Sequence, residues 1–390
     1  MAQTGFLWLP AVWGAIDEGS RFIHNDFVKT PRQSSFELLR ILCMLLIIAG
    51  HLLGQGGVLR HIALPEPGPG FIPAVALASA GRIATNVFLL LGCWFLVDAP
   101  RFRCDRWLRL WALVFCYSAP LTIWMIAIGR VGATAVVKGF LPFFGRPLWF
   151  ASAWLTLLLL APFLHGALSL APRRSAALSA TLLLVFSLNA TFRDTRAGYF
   201  ADLPWFPTMY LIMAHLKLKT SFFQRAPRWG CLLAALALYG ALVVARLASM
   251  RPGASLAVLR AGAFANCWLD DIKSLPNFLC ALGVFMFFAK ADLGVVPVLN
   301  ALARPAFAVY VGHQVPAFIP YLWLGICRTP LWWKSSHALG IALLCVIGVY
   351  LAFSVIEALR VRLIEPLYTR RAWFAALARR LESAFSDSER

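Results

Sequence analysis

Arg40 and His51 stand eleven residues apart in an otherwise apolar run, Leu38-Leu39-Arg40-Ile41-Leu42-Cys43-Met44-Leu45-Leu46-Ile47-Ile48-Ala49-Gly50-His51. At about 100° per residue, eleven helical steps close to within roughly 20° of three full turns and rise roughly 16 Å, so one helix carries both side chains on one stripe at different depths. An imidazole with an ordinary pKa of about 6.5 is a base suited to taking a proton from a hydroxyl. Apolar neighbours such as Leu and Ile penalise the imidazolium and keep the ring neutral. A guanidinium can hold an anion or brace a second buried polar group. Each residue alone has a plainer reading, with Arg40 snorkelling to the headgroups and His51 packed as a satisfied core residue. An arginine inside a span costs about 2.5 to 3.5 kcal/mol at mid-depth, however, and such residues face a cavity or a partner. Both on one stripe therefore point to a polar tunnel within a membrane bundle.

The composition agrees. Of 390 residues 61% are hydrophobic and only 14% charged, against about 25% charged in globular proteins, which excludes an ordinary soluble enzyme. The formal charge of +19 could suggest nucleic acid, but a mean hydropathy of +0.74 leaves little polar surface to meet it. The basic excess reads instead as membrane topology, with the lipid bilayer as partner and no nucleic acid. The nine cysteines form no C-x-x-C pair and lie mostly in apolar runs, so neither a disulfide framework nor a metal site is expected. A bridge between Cys267 and Cys327, in loops expected on one side, is allowed but not favoured by the spacing.

A membrane helix needs roughly 20 mostly apolar residues. That ruler gives ten spans, at about 36–59, 72–97, 107–128, 147–168, 175–192, 203–218, 229–250, 274–290, 299–325 and 338–360. The sixth is the shortest, with Pro204 and Pro207 crowding its start. Pro, Gly and charged residues punctuate the gaps, as in Pro65-Glu66-Pro67-Gly68-Pro69-Gly70. Placing the N-terminus inside puts the larger share of the 36 Lys and Arg on the cytoplasmic side, so both termini are expected there. Arg82, within the second span, is counted with the opposite side. The expected organisation is an all-α integral membrane protein with a cytoplasmic or interfacial segment 1–35, a transmembrane domain 36–362 and a basic cytoplasmic tail 363–390. The apolar stretch Gly5–Ile16 lacks a preceding positive charge and does not read as a cleavable signal.

The Arg-x10-His span resembles that of the acyltransferase-three family of membrane acyltransferases, particularly its O-acetyltransferase branch, whose first helix carries an arginine and, eleven residues on, an essential histidine. Four further stretches resemble the family in the same order. They are Thr85-Asn86-Val87-Phe88 through Gly92-Cys93-Trp94-Phe95-Leu96, Arg106-Trp107-Leu108-Arg109, Pro147-Leu148-Trp149-Phe150 through Leu160-Ala161-Pro162, and Ala308-Val309-Tyr310-Val311-Gly312-His313. The resemblance runs from about residue 34 to about 368. Gly312 departs from it, since a larger apolar residue is usual before the late histidine, and residues 1–33 have no counterpart.

The resemblance implies acyl transfer, most simply of acetyl, from cytoplasmic acetyl-CoA to a hydroxyl of a cell-surface glycan or glycolipid at the cell membrane. His51 would be the general base, with Arg40 and the preceding acidic Glu37 beside it. His313 would be a second base, a substrate hydrogen-bonder or a packing histidine. Arg103, Arg106 and Arg109, with Arg101 nearby, would grip the donor's phosphates, since guanidinium forks pair bidentately with phosphate. Their plainer reading is the positive-inside rule. Asn86, Trp149, Tyr310 and Gln314 are further substrate candidates, and Asp270 and Asp271 form a pair expected in an outer loop. His61, His165, His215 and His337 flank spans without an arguable partner. A polytopic transporter or flippase of a polysaccharide or lipid-linked substrate would also need a polar cavity, but the internal repeats common in transporters are not found. Another membrane acyltransferase type is disfavoured because no His-x4-Asp follows His51, and a structural scaffold leaves the Arg40 and His51 stripe unexplained.

Overall fold

The computed structural model describes residues 33–59, 70–99, 102–143, 148–166, 170–192, 203–251 and 253–386. The N-terminal segment expected as an interfacial helix lies outside them up to residue 32, as do His61 and Arg101. Among the described residues every regular element is helical. The first helix, α1 (Ser34–Gln55), has no side-chain cap. Its start is satisfied from elsewhere. Ser34 N donates to Gly294 O at 3.2 Å, while Ser34 Oγ donates to Asn300 Oδ1 at 3.0 Å and accepts from Val296 N at 2.6 Å.

α1 packs along its length against α2 (Phe71–Asp98). The rings of Phe36 at the start of α1 and Trp94 and Phe95 near the end of α2 touch, so the two run antiparallel. α3 (Cys104–Ala127), α4 (Ala133–Phe140), α5 (Trp149–Gly166) and α6 (Pro172–Phe192) follow. Then come α7 (Trp205–Leu218), α8 (Arg228–Ser249), α9 (Leu256–Asp270) and α10 (Leu275–Ala289). The last are α11 (Pro297–Ala303), α12 (Ala306–His313), α13 (Ala338–Leu359) and α14 (Ala372–Ser386). The core sits where α1, α2, α7, α10 and α12 meet. On α8 and α13 residues such as Leu233, Val244, Leu344 and Val355 are exposed, which for apolar side chains in a long helix means a face turned to lipid.

Among the described residues six helices are long and apolar enough to cross a membrane, or seven if α9 and α10, bent by 53° at their junction, make one span. Two of the expected spans take another form in the structure. α7 has only 14 residues, about 21 Å at 1.5 Å each, and Trp205, Phe206, Met209 and Tyr210 are fully buried in protein. The run 299–325 is broken into α11, α12 and a wide turn over Tyr321–Ile326, because Pro305, Pro316 and Pro320 supply no N–H and clash with a continuing helix. Such breaks at depth are tolerated where protein surrounds the backbone, and Ala306, Val309, Val311 and Val315 are all buried. The segment around Asp270, expected as a loop, is the end of α9.

Candidate active site

α1 and α2 cross where both carry glycine. A Cβ on Gly81 would come within 2.7 Å of Leu46 O and 3.3 Å of Gly50 Cα, so the close crossing requires glycine at position 81. The next residue on each helix, His51 and Arg82, lines the cavity beside the crossing, which has a volume of about 60 Å³. Met44 and Ile47 from α1, Thr85 and Phe88 from α2, Trp149 and Phe150 from α5, and Tyr310 from α12 complete its wall. Met44, Ile47 and His51 lie on the stripe that Arg40 begins.

Behind His51 stands His313. The Nδ1 of His51 lies 2.9 Å from Nε2 of His313, and Nδ1 of His313 lies 2.6 Å from Val309 O. A carbonyl oxygen only accepts, so in neutral rings the hydrogen of His313 sits on Nδ1 and its Nε2 accepts from His51 Nδ1–H. That assignment leaves Nε2 of His51 with an unused lone pair. One turn further along α1, Gln55 and Gln314 exchange amide hydrogen bonds at 3.0 and 3.2 Å, and Trp323 Nε1–H donates to Gln55 Oε1 at 3.1 Å. These contacts lock α12 to α1 just beside the histidine pair. His313 is fully buried. The break after it puts its ring at the end of an eight-residue helix, beside α1.

Arg40 does not line this cavity. It is ion-paired with Glu37 one turn earlier on its own helix. At the same end of the bundle, Arg109 Nη1 is 2.9 Å from Glu365 Oε1, and Arg103 Nε is 3.3 Å from Asp105 Oδ1. Arg109 therefore belongs to a buried ionic cluster, in which Arg360 bonds Glu357 at 2.7 and 2.9 Å and Glu365 at 2.9 Å, and Tyr117 OH donates to Glu357 Oε2 at 3.1 Å. Arg106 stands one turn before Arg109 on α3. Asn86, fully buried, donates to Ile272 O at 2.5 Å and Asn277 Oδ1 at 2.9 Å and accepts from Trp205 Nε1–H at 2.9 Å. These bonds tie α2 to α7, to α10 and to the link before α10. Asp270 pairs with Arg246 at 2.9 Å and Asp271 with Lys273 at 3.2 Å. His165 meets Tyr210 OH at 3.2 Å and His215 meets Ser175 Oγ at 3.1 Å. His337 precedes α13. All nine cysteines are free thiols, Cys267 and Cys327 included, so no bridge joins those two.

A family model described as an acyltransferase domain, that of the acyltransferase-three family, matches residues 33–357. The chain belongs to this family. It is thus an integral membrane acyltransferase, and every residue lining the cavity falls within the matched region. No curated protein and no solved structure matches the chain. Two parts of this acyltransferase escaped the reading of its sequence. Arg82, expected with the opposite side, sits in mid-helix beside His51; the adjacent Gly81, 31 residues after Gly50, is the sequence signal for it. The cluster of Glu357, Arg360 and Glu365 gave none, because charges at a helix end are ordinary until Arg109 and Tyr117 are seen to meet them.

Proposed function

We propose that the chain is an O-acyltransferase of the cell membrane, moving an acyl group, most simply acetyl, from cytoplasmic acyl-CoA to a hydroxyl of a cell-surface glycan or glycolipid. The observation that carries this reading is the histidine pair at the cavity, in which His313 orients His51 so that His51 Nε2 can accept a proton. The acceptor hydroxyl gives its proton to that nitrogen as its oxygen attacks the thioester carbonyl. The CoA thiolate leaves and takes the proton back, so the imidazole ends neutral. Both chain termini are assigned to the cytoplasmic side, where the Arg103, Arg106 and Arg109 end of α3 meets the donor. Arg109 is engaged with Glu365, and Arg106, one turn earlier on α3, is assigned to the donor's phosphates because a guanidinium fork pairs bidentately with phosphate. Glu37 and Arg40, paired on the same side, stand on the donor's route below the cavity, and Trp149 and Tyr310 line the space for the acceptor.

The test uses membranes of expressing cells with radiolabelled acetyl-CoA, their own glycans serving as acceptor. Transfer of label in wild type and its loss in His51→Ala are expected. Undiminished transfer in His51→Ala would remove His51 as the base. Comparing acetylated glycans in cells with and without the gene identifies the acceptor.

A further inference from the structure

Arg82 is an exposed side chain eleven residues into the 28-residue helix α2, roughly 16 Å from its start. A guanidinium at that depth is expected to face a partner or a cavity. Among the described residues it has neither an ion pair nor a hydrogen bond, unlike Arg40, Arg109, Arg246 and Arg360, each of which meets a carboxylate. It faces the cavity that His51 lines. The reaction proposed above creates a negative oxygen there, and besides His51 the side-chain donors of the wall are Arg82, Thr85, Trp149 and Tyr310, of which Arg82 alone brings a positive charge to meet it. The backbone N–H groups of α1 and α2 at mid-helix are used within their helices. Thr85 Oγ1–H is given to Gly81 O at 3.0 Å. Arg82 is the one Lys or Arg among the lining residues.

Resting on the proposed acyl transfer, we infer that Arg82 is a catalytic residue that binds the oxyanion formed from the thioester carbonyl. The acceptor oxygen forms its bond to the carbonyl carbon as the hydroxyl proton passes to His51 Nε2, and the carbonyl π pair moves onto oxygen, where Arg82 holds it. The carbonyl re-forms, the C–S bond breaks with its electron pair on sulfur, and the thiolate takes the proton from His51. The Gly50 and Gly81 contact sets the distance between base and guanidinium, because the two residues follow it directly on their helices.

The test compares maximal transfer rate and donor KM for Arg82→Gln, Arg82→Lys and Arg82→Ala in the membrane assay with radiolabelled acetyl-CoA, beside His51→Ala. Removing one oxyanion donor typically lowers turnover about 100- to 1,000-fold. Arg82→Gln is therefore expected to lose about 100-fold in maximal rate with donor KM within about threefold of wild type. Arg82→Lys should lose less, and added guanidinium ion should restore part of the rate of Arg82→Ala. Wild-type maximal rate in Arg82→Gln, or a loss confined to KM, overturns the inference. Should the Gln variant fail to accumulate, Arg82→Lys decides, since undiminished turnover there overturns it equally. An active Arg82→Gln beside an inactive His51→Ala removes Arg82 alone, whereas an active His51→Ala removes the acyl-transfer reading beneath it.

Discussion

Replacing His313 by Phe tests the orientation of the base directly. The substitution keeps a flat ring in a fully buried site but deletes the acceptor 2.9 Å from His51 Nδ1. A hydrogen bond contributes about 0.5 to 1.5 kcal/mol net, so its loss reduces the population of the productive tautomer by about 2- to 13-fold. The freed ring also loses its fixed direction, which adds to the fall. The expected outcome is turnover lower by about 10- to 100-fold, against about 100- to 10,000-fold when the base itself is removed in His51→Ala. His313→Gln should retain more activity than His313→Phe, because its amide oxygen can still accept from His51 Nδ1–H. The assay is transfer of label from radiolabelled acetyl-CoA at saturating donor, with solubilised protein checked by size-exclusion elution. Wild-type turnover in His313→Phe, with His51→Ala inactive, would show that the base needs no partner. A Gln variant slower than the Phe variant would refute the tautomer argument itself.

Three further outcomes follow from the packing. Gly81→Ala places a methyl 2.7 Å from Leu46 O, so the crossing must open; overpacking of this kind costs about 1 to 3 kcal/mol, and activity should fall further than the thermal midpoint suggests, because His51 and Arg82 move apart. Equal activity in Gly81→Ala would show that the site tolerates a looser crossing. Asn86→Ala strips partners from Trp205, Asn277 and Ile272, each unsatisfied group costing about 1 to 3 kcal/mol, and should lower folded yield and melting temperature; a normal melt with a raised KM would return Asn86 to the substrate. Arg109→Ala deletes one of two cations on Glu365 and should reduce thermal stability, and Arg106→Ala should raise donor KM several-fold; an unchanged donor KM in Arg106→Ala would remove it from the donor site.

How much of this was legible in the sequence differs from residue to residue. The all-helical membrane class follows from composition, and the stripe from Arg40 through Met44 and Ile47 to His51 follows from helical period alone. The number of spans does not. An apolar run reports that a segment avoids water, and a core helix such as α7 avoids it as thoroughly as a lipid-facing one. The prolines at 305, 316 and 320 are visible in the sequence, yet whether a proline kinks a helix or divides it depends on neighbours that can surround the exposed backbone. Gly312 reads as a departure from the family until Phe353 is seen against it: a Cβ there would sit 2.3 Å from Phe353 Cδ1, so the missing side chain is replaced by a ring from α13.

The site itself shows why period arguments stop at one helix. Arg40 and His51 share a stripe, but the cavity continues from His51 across to Arg82 and Tyr310 rather than down to Arg40, whose guanidinium is occupied by Glu37. Contacts 31 residues away at the glycine crossing and 262 residues away at His313 decide which polar groups meet, and neither separation is encoded in a repeat. The same logic divides the arginines of α3. A spacing of three puts Arg106 and Arg109 on one face, and it is Glu365 of the C-terminal segment that ties Arg109 into the ionic cluster. A membrane interior penalises each unpaired charge, so the carboxylates sort the arginines: those that meet one hold the bundle together, and Arg82, beside the base, is left facing the cavity.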